Sequence, residues 1–204
     1  GARFSGSGRL PERPLGPLLA ALRQHGVRCS ADCLPLTVEG RLSGGEYRLP
    51  GNISSQYISG LLLALPACGE DSRLLITTQL ESAAYIGITL QVLRCFGVAV
   101  EQRPGAYHIP GRQIFRSPGQ IRAEGDWSNA AFFLAAGALG GEVTVSGLDP
   151  ASPQGDRHLT DLLHGFGARV KVDGHSVSVG PGLLRGMEID ISPIPDLLPA
   201  LSIV

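Results

Sequence analysis

A chain of 204 residues, 43% of them hydrophobic, can bury a core sufficient for one large or two small domains. Its formal net charge of −1 supplies no basic field for nucleic acid or an anionic membrane. Of the 17 basic residues only Lys171 is a lysine. An arginine bias suits forked recognition of carboxylate and phosphate, but genomic base composition also produces it.

Cys29 and Cys33 have no second pair to complete a zinc set, and with Cys68 and Cys95 they are expected to be free thiols of a reducing cytosol. No signal peptide is expected, and the apolar run 58–66 is too short to span a bilayer. The chain opens at Gly1 without a methionine and stops inside the apolar run 197–204, so both ends are expected to be cuts in a longer polypeptide.

Taken in chain order, a first helical pattern covers residues 14–27, and strand-like residues 46–49 lead into a helix opening at Ser54-Ser55-Gln56. A strand over 73–78 precedes a second helix of the first kind at 85–98. Another helix begins near Ser128-Asn129, with a strand at 142–146, a third helix of the first kind at 158–168 and a strand at 169–172. A last helix begins at Pro195-Asp196. The three helices of the first kind end on Gly26, Gly97 and Gly167, which are 71 and 70 residues apart. Each glycine is placed to take the left-handed position after a helix and to lead into a strand. The unit reads strand, helix, strand, helix, strand, strand over about 70 residues, too long for a solenoid turn, which puts the chain in the α/β or α+β class.

Gly51-Asn52-Ile53-Ser54-Ser55-Gln56 follows a strand and opens an apolar helix. Hydroxyls and free backbone N–H groups at a helix start form a ready anion site, and Gln56 adds one donor and one acceptor. On the residues alone, a capping role for Ser54 or Ser55 is the commoner use of such serines. The five histidines are scattered without ligand or triad spacing.

The run Gly51-Asn52-Ile53-Ser54-Ser55-Gln56-Tyr57-Ile58-Ser59-Gly60-Leu61-Leu62-Leu63-Ala64 resembles the signature of 5-enolpyruvylshikimate-3-phosphate synthases. Leu10-Pro11-Glu12-Arg13-Pro14-Leu15 is similar to the family's Arg-Pro motif, and Glu81-Ser82-Ala83-Ala84-Tyr85-Ile86 to its Ser-x-x-Tyr segment. Glu124-Gly125-Asp126, Gln154-Gly155-Asp156 and Ile194-Pro195-Asp196 resemble three further landmarks in the family's order. The resemblance implies βαβαββ units of an inside-out α/β barrel, three to a domain and here incomplete at both ends. Residues 1–122 would hold two units of a first domain, and 123–204 one unit of a second plus the start of the next.

The resemblance also implies transfer of the enolpyruvyl group of phosphoenolpyruvate to the 5-hydroxyl of shikimate 3-phosphate. Phosphate leaves through a tetrahedral intermediate, and neither a metal nor an organic cofactor takes part. Carried over by residue, Ser54, Ser55 and Ser82 would hold the shikimate phosphate and Gln56 would lie between the substrates. Tyr85 would frame the shikimate ring, and Arg13 would clamp phosphoenolpyruvate. Asp196 would bind shikimate hydroxyls and accept the proton of the attacking one. Read without the resemblance, Arg13 is a surface ion pair, Tyr85 a core residue and Asp196 a helix cap.

The family's remaining lysines, arginines, serine and glutamate match nothing in this chain, so alone it is expected to bind poorly and turn over nothing. No nucleic acid or membrane partner is expected, and the parent would be a cytoplasmic monomer. A fragment with unclosed domains is expected to expose apolar surface and self-associate. Two alternatives stand beside this reading. A UDP-N-acetylglucosamine enolpyruvyl transferase needs a reactive cysteine in a mobile loop, whereas the cysteines here lie in or beside helices and strands. A non-catalytic α/β module needs none of Arg13, Ser54, Ser55, Gln56 or Asp196.

Overall fold

Glycine, which alone tolerates positive φ without steric cost, sets the period of this fold. In the computed structural model, which describes residues 1–204, Gly26, Gly97 and Gly167 have φ of 87°, 73° and 102°. Each ends a helix and turns the chain toward a strand. After two of them the backbone closes the Schellman bond across the helix end, Val98 N–H to Leu93 O at 2.9 Å and Ala168 N–H to Leu163 O at 3.0 Å.

The chain forms two compact units, the first of Gly1–Glu81 and Thr89–Pro118, the second of Ser82–Ile88 and Gly119–Val204. The first unit begins with β1 (Ala2–Phe4), α1 (Gly16–Gln24), β2 (Val27–Cys29) and β3 (Leu36–Gly40), with strands in the order β1-β3-β2. A full βαβαββ repeat follows: β4 (Gly45–Leu49), α2 (Ser55–Ala64), β5 (Ser72–Ile76), α3 (Ala83–Cys95), β6 (Glu101–Arg103) and β7 (Ala106–Ile109). Its sheet runs β4-β5-β7-β6, with β4 and β5 parallel and β7 antiparallel to both neighbours. Residues alternate along β4, with Tyr47 and Leu49 buried and Glu46 and Arg48 exposed, as a sheet covered on one face requires. The core of this unit includes Tyr47, Leu49, Leu74 and Ile109 from the sheet and Ile58, Leu61 and Leu62 from α2. Helix α3 gives residues 83–88 to the second unit and 89–95 to the first.

The second unit continues with α4 (Trp127–Leu139), β8 (Val143–Ser146), α5 (Leu159–Phe166), β9 (Arg169–Asp173), β10 (Ser176–Gly180) and α6 (Leu198–Leu201). Its sheet order β8-β10-β9 repeats the pattern of β1-β3-β2 and of β5-β7-β6. In all three sheets the last strand of the repeat lies between the two before it. Trp127, Leu134, Ala135, Leu159, Leu163, Val177, Val179 and Leu197 form one buried cluster. Burying each large apolar side chain contributes about 1.5–3 kcal/mol, so sheet and helices are held mainly by these contacts.

Element bounds differ from the sequence reading by one to a few residues, and three of the differences matter here. Helix α1 starts at Gly16 rather than Pro14, with Pro17 in its first turn, where a missing N–H costs nothing. Helix α4 starts at Trp127 with Asp126 as its cap, not at Ser128, because the Ser128 hydroxyl is engaged elsewhere. Residues 119–126 form no strand, so the third repeat opens on its helix. No helix is long and apolar enough to cross a membrane.

Candidate functional site

In the first unit, α2 starts where the chain leaves β4 through a loop tied down by Thr78. The Gly51 N–H donates to Thr78 Oγ1 at 2.9 Å, and the Thr78 hydroxyl donates to Asn52 Oδ1 at 2.9 Å. Ser54 is the N-cap, with extended backbone and an Oγ that accepts from the Gln56 N–H at 3.2 Å. Ser55 occupies the first helical position, and no protein group bonds its hydroxyl. The Gln56 side chain is exposed. One serine thus does the local work of capping, while the next two side chains stay available beside the positive end of the helix dipole.

Arg13 follows a 3₁₀ turn, Leu10–Glu12, in extended conformation. The next residue is anchored to α2, because the Tyr57 hydroxyl donates to the Pro14 carbonyl. Tyr57 therefore fixes the Arg13 segment relative to the helix that carries Ser54, Ser55 and Gln56. Arg13 is exposed, and no ion pair of the structure includes it. A planar guanidinium left in this state can grip a phosphate or carboxylate with two parallel bonds.

In the second unit, the Tyr85 hydroxyl donates to Asp196 Oδ2 at 2.5 Å. Asp196 lies in the 3₁₀ turn Pro195–Leu197 that leads into α6, near a helix start as expected, and is exposed. Its Oδ1 has no protein donor. Ser82 precedes α3 with φ of 53°, a left-handed conformation that costs a non-glycine residue about 1 kcal/mol. Beside Tyr85 lies a cavity of about 190 Å³ lined by Asp126, Ser128, Gln154 and Asp156 among others.

Two of these lining groups bond each other, and the other two bond residues at the start of α4. The Ser128 hydroxyl donates to Asp156 Oδ2 at 2.5 Å, and Asp126 Oδ1 accepts from the Asn129 N–H at 3.1 Å. Gln154 accepts from the Trp127 N–H at 3.0 Å and donates to the Gly125 carbonyl at 2.9 Å. Burial pushes the Asp156 carboxyl above the usual carboxylate range; the Ser128 bond opposes this and the charges of Asp196 and Asp126 add to it. Burial pushes the Tyr85 phenol up as well, and the bond to Asp196 and the charges of Asp156, Asp196 and Asp126 push it further.

Arg13, Ser54, Ser55 and Gln56 therefore share one end of α2 within the first unit, and Tyr85 and Asp196 meet within the second, where Ser82 also lies. Tyr57, Ser128, Gln154 and Asp156 received no role from the sequence. The Gln154-Gly155-Asp156 and Glu124-Gly125-Asp126 motifs marked the stretches to watch, but nothing in their spacing shows that they bond to each other. All four cysteines are free; Cys33 sits in the β2–β3 loop and Cys95 at the end of α3. No group of three or more His, Cys, Asp or Glu residues is arranged to hold a metal.

The family model of EPSP synthase (3-phosphoshikimate 1-carboxyvinyltransferase) matches residues 2–204. A 3-phosphoshikimate 1-carboxyvinyltransferase of Methanocorpusculum labreanum is 40% identical over 203 residues, which are 98% of this chain and 48% of that protein. Its counterpart in Clostridium perfringens is 42% identical over 205 residues, with the same coverage of 98% and 48%. Among solved structures, EPSP synthase from Acinetobacter baumannii superposes with a TM-score of 0.74 at 21% identity, over 98% of this chain and 48% of that one. The enolpyruvyl transferase NikO from Streptomyces tendae gives 0.70 at 21% identity, over 98% and 49%. These likenesses identify the fold as repeats of the enolpyruvyl transferase α/β barrel, and the chain spans about half the length of the curated relatives it matches. With the family model matched from residue 2 to residue 204, the chain belongs to the EPSP synthase family.

Proposed function

We propose that this chain supplies part of the site of an enzyme that transfers the enolpyruvyl group of phosphoenolpyruvate to the 5-hydroxyl of shikimate 3-phosphate and releases phosphate. One observation carries the reading. At the start of α2, Ser54 alone serves the helix, while the Ser55 hydroxyl and Gln56 carboxamide remain unengaged at a terminus suited to a phosphate.

In this reading Ser54, Ser55 and Ser82 hold the phosphate of shikimate 3-phosphate, and Gln56 lies between the two substrates. Arg13 clamps phosphoenolpyruvate with its unpaired guanidinium. Tyr85, a neutral donor, steadies Asp196 through Oδ2 and leaves Oδ1 for the hydroxyls of the shikimate ring. The carboxylate then takes the proton of the attacking hydroxyl as the new C–O bond forms at C2 of phosphoenolpyruvate, while the C2=C3 π bond breaks and C3 takes a proton from an acid outside this chain. Collapse of the tetrahedral intermediate returns that C3 proton, restores the double bond and expels phosphate. Cations that offset the developing charge come from outside this chain, so by itself it turns over nothing. Residues 1–122 and 123–204 belong to separate domains of the parent, a cytoplasmic monomer in this reading. The three sheets are compatible with this division, since none takes strands from both sides of residue 122.

The test uses the longer protein that carries this chain, with phosphate release from phosphoenolpyruvate followed as a function of shikimate 3-phosphate. Release that depends on both substrates is expected. Gln56→Ala should lower kcat more than it raises either KM, because a group between the substrates tightens its contacts as they join. A protein that releases no phosphate from this pair, or a Gln56→Ala variant with unchanged kinetics, overturns the reading.

A further inference from the structure

The Gln154-Gly155-Asp156 segment forms a 3₁₀ turn, Gly155–His158 with Gln154 as its cap, whose flanking side chains are bolted to the start of α4. Gln154 bonds Trp127 and Gly125, and Asp156, only 4% exposed, takes the Ser128 hydroxyl. Between them Gly155 faces two other elements. A Cβ on Gly155 would lie 3.0 Å from Ala84 Cβ, 3.3 Å from Ile194 Cγ2 and 3.5 Å from the Pro193 carbonyl oxygen. Ala84 immediately precedes Tyr85, and Ile194 stands two residues before Asp196. The φ of Gly155 is not in the left-handed region, so the backbone would accept alanine and only the contact forbids it.

We infer that Gly155 is a positioning residue: its missing side chain lets the first turn of α3 and the 193–196 turn close on one point, and this closure brings the Tyr85 hydroxyl onto Asp196. Carbon atoms in good contact sit about 3.5–4.0 Å apart. A methyl group on Gly155 therefore pushes Ala84 back by about 0.5 Å and Ile194 by about 0.2 Å. Tyr85 and Asp196 ride on these two displaced segments. Their bond begins at 2.5 Å, and an O–H···O bond fades beyond about 3 Å, so a displacement of this size is enough to open it. Asp156 and Gln154 keep the turn from yielding instead, because they bond it to the start of α4. The catalytic consequence rests on the proposed reading of Tyr85 and Asp196 as groups that meet substrate.

The experiment is NMR of the tyrosine-labelled chain, with Tyr85→Phe assigning the Tyr85 signal and Asp196→Ala setting its position without an acceptor. Gly155→Ala should move the Tyr85 signal at least about half way to that position. The indole N–H signal of Trp127, which donates to the Asp149 carbonyl at 3.2 Å, should stay in place and report an intact unit. Adding Ala84→Gly removes the nearest clashing methyl and should restore the signal. If Gly155→Ala does not fold, Ala84→Val crowds the same point from the other side and carries the same expectation. A Tyr85 signal unmoved in the folded variant, or unrestored by Ala84→Gly, overturns the positioning role. Kinetics of the longer protein separate the two ideas. If the signal moves and kcat falls, both stand; if the signal moves and kcat does not, Gly155 still positions the pair but Asp196 is not the proton acceptor.

Discussion

The Tyr85 hydroxyl reaches Asp196 at 2.5 Å across 111 positions of sequence. Because the folded state raises the phenol above its ordinary value, it holds this proton more tightly than the unfolded chain does. The resulting stability is fully present below about pH 10 and is lost as pH rises through the folded-state value. Tyr85→Phe should therefore flatten the alkaline fall of the denaturation midpoint while costing about 0.5–1.5 kcal/mol at neutral pH. Urea titrations of both proteins from neutral to alkaline pH check this; parallel alkaline limbs would refute it.

Asp156 makes the complementary prediction at the acid end. A buried carboxyl raised above the usual range favours the protonated fold. Its contribution is full below about pH 4 and is lost as pH rises through the raised value. Asp156→Asn keeps an oxygen for the Ser128 hydroxyl and carries no buried charge. It should be as stable as the parent at neutral pH or more so, and should lack this component of the acid-side profile. A neutral-pH loss of several kcal/mol would instead mean that the charge itself holds the site together.

Ser54 and Ser55 should part company when each is changed to alanine. Ser54 caps α2, so Ser54→Ala should lower stability by about 1 kcal/mol. The Ser55 hydroxyl bonds no protein group, and Ser55→Ala should stay within about 0.5 kcal/mol of the parent. In the longer protein, Ser55→Ala should weaken shikimate 3-phosphate binding by about 1–3 kcal/mol, the range for a hydrogen bond to a charged group. Calorimetric binding and a melting curve on each variant decide it.

Gly97 and Gly167 occupy equivalent places in successive repeats but differ in what surrounds them. A Cβ on Gly97 would meet only Arg116 Cβ at 3.8 Å, so Gly97→Ala should cost only the left-handed strain of about 1 kcal/mol. On Gly167 it would lie 2.3 Å from the Leu183 carbonyl oxygen, which forces backbone to move. Gly167→Ala should cost about 3 kcal/mol or more. Equal costs in denaturant titrations would mean that the Leu183 segment yields freely.

Helix α4 exposes Phe132, Phe133 and Leu139 at 51%, 64% and 48%, on the face opposite its buried residues. Apolar surface of this kind should make the chain self-associate as its concentration rises, and Phe133→Glu should reduce the effect. Light scattering across a concentration series measures it, and a clean monomer throughout would count against the prediction.

The repeat was legible in the sequence because its signals are local. A glycine after an apolar helix turns left-handed for reasons contained in its own residue, and so Gly26, Gly97 and Gly167 mark three equivalent places without reference to any partner. The cap at Ser54 and the alternation of β4 are local in the same way. The start of α4 was not, because Ser128, a good cap by type, spends its hydroxyl on Asp156, 28 positions away, and leaves the end to Asp126. What tertiary structure alone decided is which distant groups meet. The bond from Tyr85 to Asp196, the burial that raises Asp156 and the crowding of Gly155 by Ala84 and Ile194 all arise where helix starts and 3₁₀ turns distant in sequence pack together. Such contacts depend on the registry of whole elements, set by the fit of buried side chains, and no spacing within one segment encodes them.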